Sequence, residues 1–143
     1  MRLDEHRLWQ LVLYGFFALA LVVTARLRSQ AAPYGRHNQR GSWGPQVSSL
    51  LGWLIMEVPA SVAPMVLFLI GGRRDSVLWT FFVLWQLHYF HRAFIYPLRR
   101  RGGVPTMPLL IALSGLVFNL LNTYLNWRYL THFAPVDRYA GGW

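Results

Sequence analysis

Trp85-Gln-Leu-His-Tyr-Phe-His-Arg-Ala-Phe-Ile-Tyr-Pro-Leu-Arg-Arg-Arg-Gly-Gly-Val-Pro105 decides how this chain is read. The stretch opens as the second half of an apolar helix. Polar groups then gather inside it: Gln86, His88, Tyr89, His91 and Arg92. It closes on Pro97, three consecutive arginines and a Gly-Gly turn. Polar side chains within a greasy segment are costly to bury and mark a functional site by default. The partner expected for them is Glu57, the only acid inside any apolar segment.

Outward from that stretch, the chain reads as a membrane protein. Its 143 residues suffice for one domain; 55% are hydrophobic, 16% aromatic and only 13% charged, with a positive mean hydropathy. The absence of cysteine excludes disulfides, thiolate metal sites and cysteine nucleophiles. All fourteen basic residues are arginines, and most sit at the ends of apolar segments, where a membrane protein places them. They form no basic stripe along a polar helix, which argues against nucleic acid as a partner despite a pI near 11.1.

Four apolar spans are expected, at 8–25, 47–70, 76–97 and 107–126. Each approaches the ~20 residues that cross a bilayer. The first has a mixed-charge cap containing Asp4 and Glu5 and is followed directly by Arg26 and Arg28, so it reads as a retained helix and not a cleaved leader. The second contains Pro59 and Pro64, breakers tolerated where neighbours re-satisfy the opened backbone. Short connections between the later spans predict an all-α, up-and-down bundle in a single membrane domain.

Depth arithmetic gathers a site. Glu57 lies ten residues into the second span, ~15 Å at 1.5 Å per residue. Tyr89 lies eight residues before Pro97, ~12 Å from the same face, and Phe118 eleven residues into the fourth span, ~16 Å deep. Trp53 is one turn from Glu57 and shares its side. A plainer role for Glu57 is to satisfy Arg92 or a backbone group opened by Pro59. His88 and His91 suggest a metal, but too few further ligands lie at their depth, and hydrogen-bonding histidines inside the bundle are expected instead. No GxGxxG or P-loop is present. Two readings remain, a membrane enzyme built on these residues and a non-catalytic helical subunit that binds lipid or partner helices.

Four motifs occur in an order that resembles one family. His88-Tyr-Phe-His-Arg-Ala-Phe-Ile-Tyr-Pro97, followed by Arg101-Gly-Gly-Val-Pro105, resembles the third-helix signature of the steroid 5α-reductases. Glu57-Val-Pro59, with Trp53-Leu-Ile before it, resembles their second-helix motif, Pro33-Tyr-Gly-Arg36 their first loop, and Asn122-Thr-Tyr-Leu-Asn-Trp-Arg-Tyr-Leu130 their fourth helix. The resemblance implies NADPH-dependent reduction of the Δ4 double bond of a 3-oxo steroid or similar lipid enone. Hydride would reach the β-carbon while Glu57 and Tyr89 hold the carbonyl oxygen. Trp53, Phe118, Tyr34 and Ser114 match positions lining the substrate pocket. Arg100 and Arg101, before the Gly102-Gly103 turn, are candidates for the cofactor phosphates.

The same resemblance implies a seven-helix bundle, of which four helices are present. The remaining, C-terminal half, in the same or a second chain, would bring most cofactor contacts. It also implies an outside or luminal N-terminus, in a bacterial inner membrane or the endoplasmic reticulum. Three departures stand out: Met56 replaces the usual Gln before the glutamate, and Thr123 and Asn126 replace Gly and Gln in the fourth-helix motif.

Overall fold

A computed structural model describes residues 4–29, 43–99 and 105–135. Helix α1 spans Glu5–Leu27, strand β1 Gln46–Ser48 and helix α2 Ser49–Ile70. Helix α3, Ser76–Phe90, runs without a break into a π-helical stretch, His91–Ile95, and a last α turn, Tyr96–Arg99. Strand β2 is Thr106–Pro108; helix α4, Leu109–Thr123, is prolonged by π-helical Tyr124–Phe133.

The helices alternate in direction. Glu5 at the start of α1 pairs with Arg128 at the far end of α4, and Trp9 Nε1 donates to the Leu125 carbonyl at 3.0 Å, so these two run antiparallel. α2 and α4 run parallel and in close contact, Gly52 facing Met107, Met56 facing Gly115 and Gly71 facing Thr131. A Cβ on Gly52 would lie 2.2 Å from Met107 Sδ, so the missing side chain is what admits the methionine. In lipid, where burial of apolar surface gives helices no reason to associate, such small-residue approaches and polar contacts are what hold them.

Prolines make α2 the organising helix. Pro64 removes the N–H that the Ala60 carbonyl would accept, and its ring crowds that turn. Trp85 Nε1 donates to the Ala60 carbonyl at 2.8 Å and Gln86 Nε2 to the next carbonyl, Ser61, at 2.9 Å. The Ser61 hydroxyl returns a bond to Gln86 Oε1 at 3.1 Å. One turn earlier, the Met56 carbonyl accepts from Asn119 Nδ2 at 2.6 Å. The Ala60 carbonyl freed by Pro64, and the Ser61 and Met56 carbonyls near it, are thus met by side chains of α3 and α4, which fixes the rotation of both helices against α2.

Beyond that polar belt, Phe68, Leu78 and Trp127 form a buried cluster, with Leu67, Phe82, Trp85 and Leu130 packed around it. Arg74 closes that end, donating to the Gly71 and Leu69 carbonyls at the α2 C-terminus, its guanidinium 4.7 Å over the Phe68 ring.

The bundle is all-α as expected, and the structure adds three details. Helices Glu5–Leu27, Ser49–Ile70 and Leu109–Phe133 are long and apolar enough to cross a membrane; the expected third span, 76–97, is continuous helix but is diluted by Gln86, His88, His91 and Arg92. The last helix reaches Phe133 instead of stopping near 126, because Leu125, Trp127 and Thr131 keep one face of a polar-looking stretch buried. A short ribbon joins the helices: β1 and β2 pair antiparallel, Val47 opposite Met107. The pairing is extended by bonds from the Ser49 and Leu109 amides to the Pro105 and Pro45 carbonyls, both at 2.8 Å. This ribbon brings the ends of the first and third loops to one face, as an up-and-down order requires.

Candidate functional site

Glu57 is the most demanding side chain in the bundle, because a carboxyl 2% exposed has left water almost entirely. It is fully engaged. Arg92 Nε donates to Oε1 at 2.7 Å, and Asn119 Nδ2, already bonded to the Met56 carbonyl, lies 3.5 Å from Oε2. Of the two plainer roles foreseen for Glu57, pairing with Arg92 has a counterpart, while the Met56 carbonyl beside it is met by Asn119.

The π-helical stretch explains why Arg92 reaches α2. One extra residue per turn shifts the register of His91–Ile95 relative to the α-helix before it, a distortion common at functional sites. Arg92, 44% exposed, lies with its guanidinium 5.2 Å over Trp53, and Trp53 meets Tyr96 edge to face at 5.1 Å. Trp53 Nε1 is buried with no hydrogen-bond partner among the described residues, an idle donor next to the ion pair.

Tyr89 lies one turn before Arg92 on the same helix, within electrostatic reach of both Glu57 and Arg92. Trp85 packs against it with the rings tilted and their centres 4.8 Å apart, and His88 meets it edge to face at 4.9 Å. Its hydroxyl accepts from Asn122 Nδ2 at 3.4 Å, and Asn126 Nδ2 in turn bonds Asn122 Oδ1 at 3.0 Å. Asn122 and Asn126 also line a cavity of about 620 Å³ walled by aromatic side chains of α1, α3 and α4, among them Trp9, Phe16 and Trp85.

The site residues inferred from sequence thus divide. Glu57, Trp53 and Tyr89 come together around Arg92. Phe118 shares the level of Glu57, since its neighbour Asn119 touches that carboxyl, but its ring turns the other way and packs on Phe16 of α1 at 5.4 Å. Ser114 is on that outer side too, donating to the Leu110 carbonyl at 2.7 Å; both line a separate groove of about 600 Å³ between α1 and α4. Equal depth does not give a shared face: successive residues of a helix point about 100° apart. Tyr34, Arg100 and Arg101 lie outside the described residues.

His88 and His91 are not inside the bundle as expected. Both are exposed and line an outward hollow with Trp53, Arg92 and Tyr96. Among the described residues no three His, Cys, Asp or Glu side chains converge on a metal position. Asn119 was missed by sequence reasoning. Its signal was an amide between apolar neighbours twelve residues into the expected fourth span, level with the only acid inside an apolar segment.

No family model matches the chain. Curated proteins do. Steroid 5-alpha-reductase DET2 of Arabidopsis thaliana is 39% identical over 125 residues, covering 82% of this chain and 46% of that protein. The 3-oxo-5-alpha-steroid 4-dehydrogenase 1 of Macaca fascicularis is 33% identical over 144 residues, 99% of this chain and 53% of the relative. Its counterpart in Rattus norvegicus is 34% identical over 152 residues, 100% of this chain and 54% of the relative. The chain spans about half the length of the curated relatives it matches. Over most of its own length, then, this chain is a homologue of the steroid 5α-reductases.

Proposed function

We propose that this chain forms the substrate-gripping part of a multi-pass membrane reductase that saturates the Δ4 double bond of a 3-oxo steroid or similar lipid enone. The observation that carries the proposal is the buried Glu57 paired with Arg92, with Tyr89 one turn from that arginine, in a homologue of steroid 5α-reductases. Reduction places negative charge on the carbonyl oxygen as the β-carbon accepts hydride. A donor aimed at that oxygen in a dry site stabilises the charge far better than water does. Tyr89 is that donor. Glu57 joins Tyr89 in holding that oxygen and is itself fixed by Arg92 and Asn119. The idle Trp53 indole N–H lies beside them for a second polar contact.

NADPH, when bound, supplies the hydride. The donor set of this chain fits such a cofactor in part: Arg99 ends the last turn of α3, and Arg100 and Arg101 follow it on the connection to β2, where guanidinium groups would pair with phosphates. The remaining cofactor contacts are assigned to a further helical portion corresponding to the half of the relatives this chain does not match. The outward polar side chains of α3 support that completion. His88, His91 and Arg92 are exposed on a helix packed among membrane spans, where lipid is a poor neighbour and protein a good one. The N-terminus is placed outside or in the lumen.

The test is reduction of a Δ4-3-oxo steroid by membranes holding this chain joined to that further portion, followed as loss of enone absorbance with NADPH consumed. Equal consumption with and without steroid sinks the reading in favour of a non-catalytic subunit.

A further inference from the structure

The asparagines of α4 fix which way the Tyr89 proton points. Asn126 Nδ2 lies 2.8 Å from the backbone carbonyl of Asn122, a group that can only accept, so that atom of Asn126 has to be the amide nitrogen. The same nitrogen lies 3.0 Å from a side-chain atom of Asn122, which must then be the oxygen. Asn122 therefore turns its own amide nitrogen to Tyr89, 3.4 Å from the phenol oxygen. A phenol has a single proton and, with its oxygen already accepting, keeps that proton free to give elsewhere. The direction of the chain is set at its far end by a backbone carbonyl and not by the tyrosine.

We propose that Asn122, locked by Asn126, is a positioning residue that holds Tyr89 as a committed hydrogen-bond donor to the carbonyl oxygen of the bound enone. The inference rests on the role proposed above for Tyr89. Donation into the phenol oxygen also polarises the O–H bond, so the hydrogen bond to a developing enolate strengthens along the chain. Asn126 stands where the resembling family carries Gln, and the shorter side chain still closes the contact within one helical turn.

Two measurements test it. The tyrosine doublet in the Raman spectrum, isolated as the difference between this chain and its Tyr89→Phe variant, distinguishes an accepting phenol from a donating one. The expected signature is an acceptor, converted to a donor in Asn122→Asp, whose carboxyl competes for the proton, and lost in Asn122→Leu. In the completed enzyme, both variants should lower kcat for enone reduction by ~10-fold, the scale of one hydrogen bond, with KM little changed. Asn122→Leu keeps the test open should Asn122→Asp fail to fold. If Tyr89→Phe itself reduces the enone normally, the role of Tyr89 falls and the inference with it. If Tyr89→Phe is crippled while Asn122→Asp and Asn122→Leu match the wild type, the inference alone is overturned.

Discussion

Helices α1 and α2 have nearly the same length, 23 and 22 residues, and both are apolar enough to cross a membrane, yet they sit in the molecule differently. α2 buries Gly52, Glu57, Ala60, Ser61, Pro64 and Phe68; α1 buries none of its residues. Hydropathy places a helix in lipid but gives it no partner there. α2 has small residues that admit Met107 and Thr131, prolines that release carbonyls, and an acid that needs a cation. α1 offers large aliphatics all round and is held mainly at its beginning, by Trp9 and the Glu5–Arg128 pair. The polar belt is therefore both the glue of the bundle and its candidate chemistry.

Glu57→Leu should break this contrast most severely. It removes the acceptor shared by Arg92 and Asn119 and makes α2 as featureless at that level as α1. Activity of the completed enzyme should be lost, while Asn119 keeps its bond to the Met56 carbonyl and the helices stay inserted. Protease protection of the spans together with enone turnover checks both halves. Normal turnover would place the site elsewhere.

Tyr89→Phe comes next. It preserves ring, volume and the ring contact with Trp85, and removes one donor. Loss of a donor aimed at a developing oxyanion costs ~10²–10³ in turnover. The loss should fall on kcat more than on NADPH affinity, since the bond matures in the transition state. Tyr14→Phe on α1, at a position 66% exposed, is the matched control. Single-turnover rates that agree between the two variants would remove Tyr89 from the mechanism.

What could be read from sequence follows the same division. Whole spans were legible because hydropathy is additive over twenty residues, and Glu57 and Arg92 because a charge there is conspicuous. Asn119 and Ser61 were not, since a neutral polar side chain gains meaning only from the carbonyl it meets across the bundle. The facing of Phe118 was equally hidden: depth along a helix can be counted, whereas rotation is decided by Asn119, whose bond to the Met56 carbonyl pulls the other side of α4 inward. The β1–β2 ribbon lies below the length at which alternation is a signal.

Glycines sharpen the comparison without touching the site. Gly15 in α1 has nothing within 4 Å of an added Cβ, whereas Gly52 in α2 has Met107 at 2.2 Å. Gly52→Val should cost ~1–3 kcal/mol by overpacking. Gly15→Val should stay within about 0.5 kcal/mol, as for surface positions. Unfolding titrations in mixed micelles measure the difference; equal costs would mean that α2 and α4 do not approach as closely as Gly52 and Met107 indicate.

The smallest effect expected concerns the N-caps. Asp75 accepts from the Leu78 amide at 2.9 Å, whereas at the start of α1 Asp4 reaches the His6 amide only at 3.5 Å. The Leu78 N–H, and then the Arg73 guanidinium beside it, hold the Asp75 carboxyl below the usual carboxylate range. A carboxyl whose folded pKa is depressed contributes stability that is complete above its unfolded pKa and is lost as pH falls through the folded value. The contribution of Asp75 should therefore be full at neutral pH and begin to fade only below the ordinary value near 3.8. Asp75→Ala should cost ~1 kcal/mol at pH 7, in line with loss of an N-cap, and progressively less in acid. Asp4→Ala, with its longer contact, should cost less at every pH. Amide exchange at Leu78, compared between pH 7 and pH 3 in detergent, reads the local opening of α3 directly. An Asp75→Ala penalty that grows on acidification would reverse the sign of this linkage and assign the stabilisation to another group.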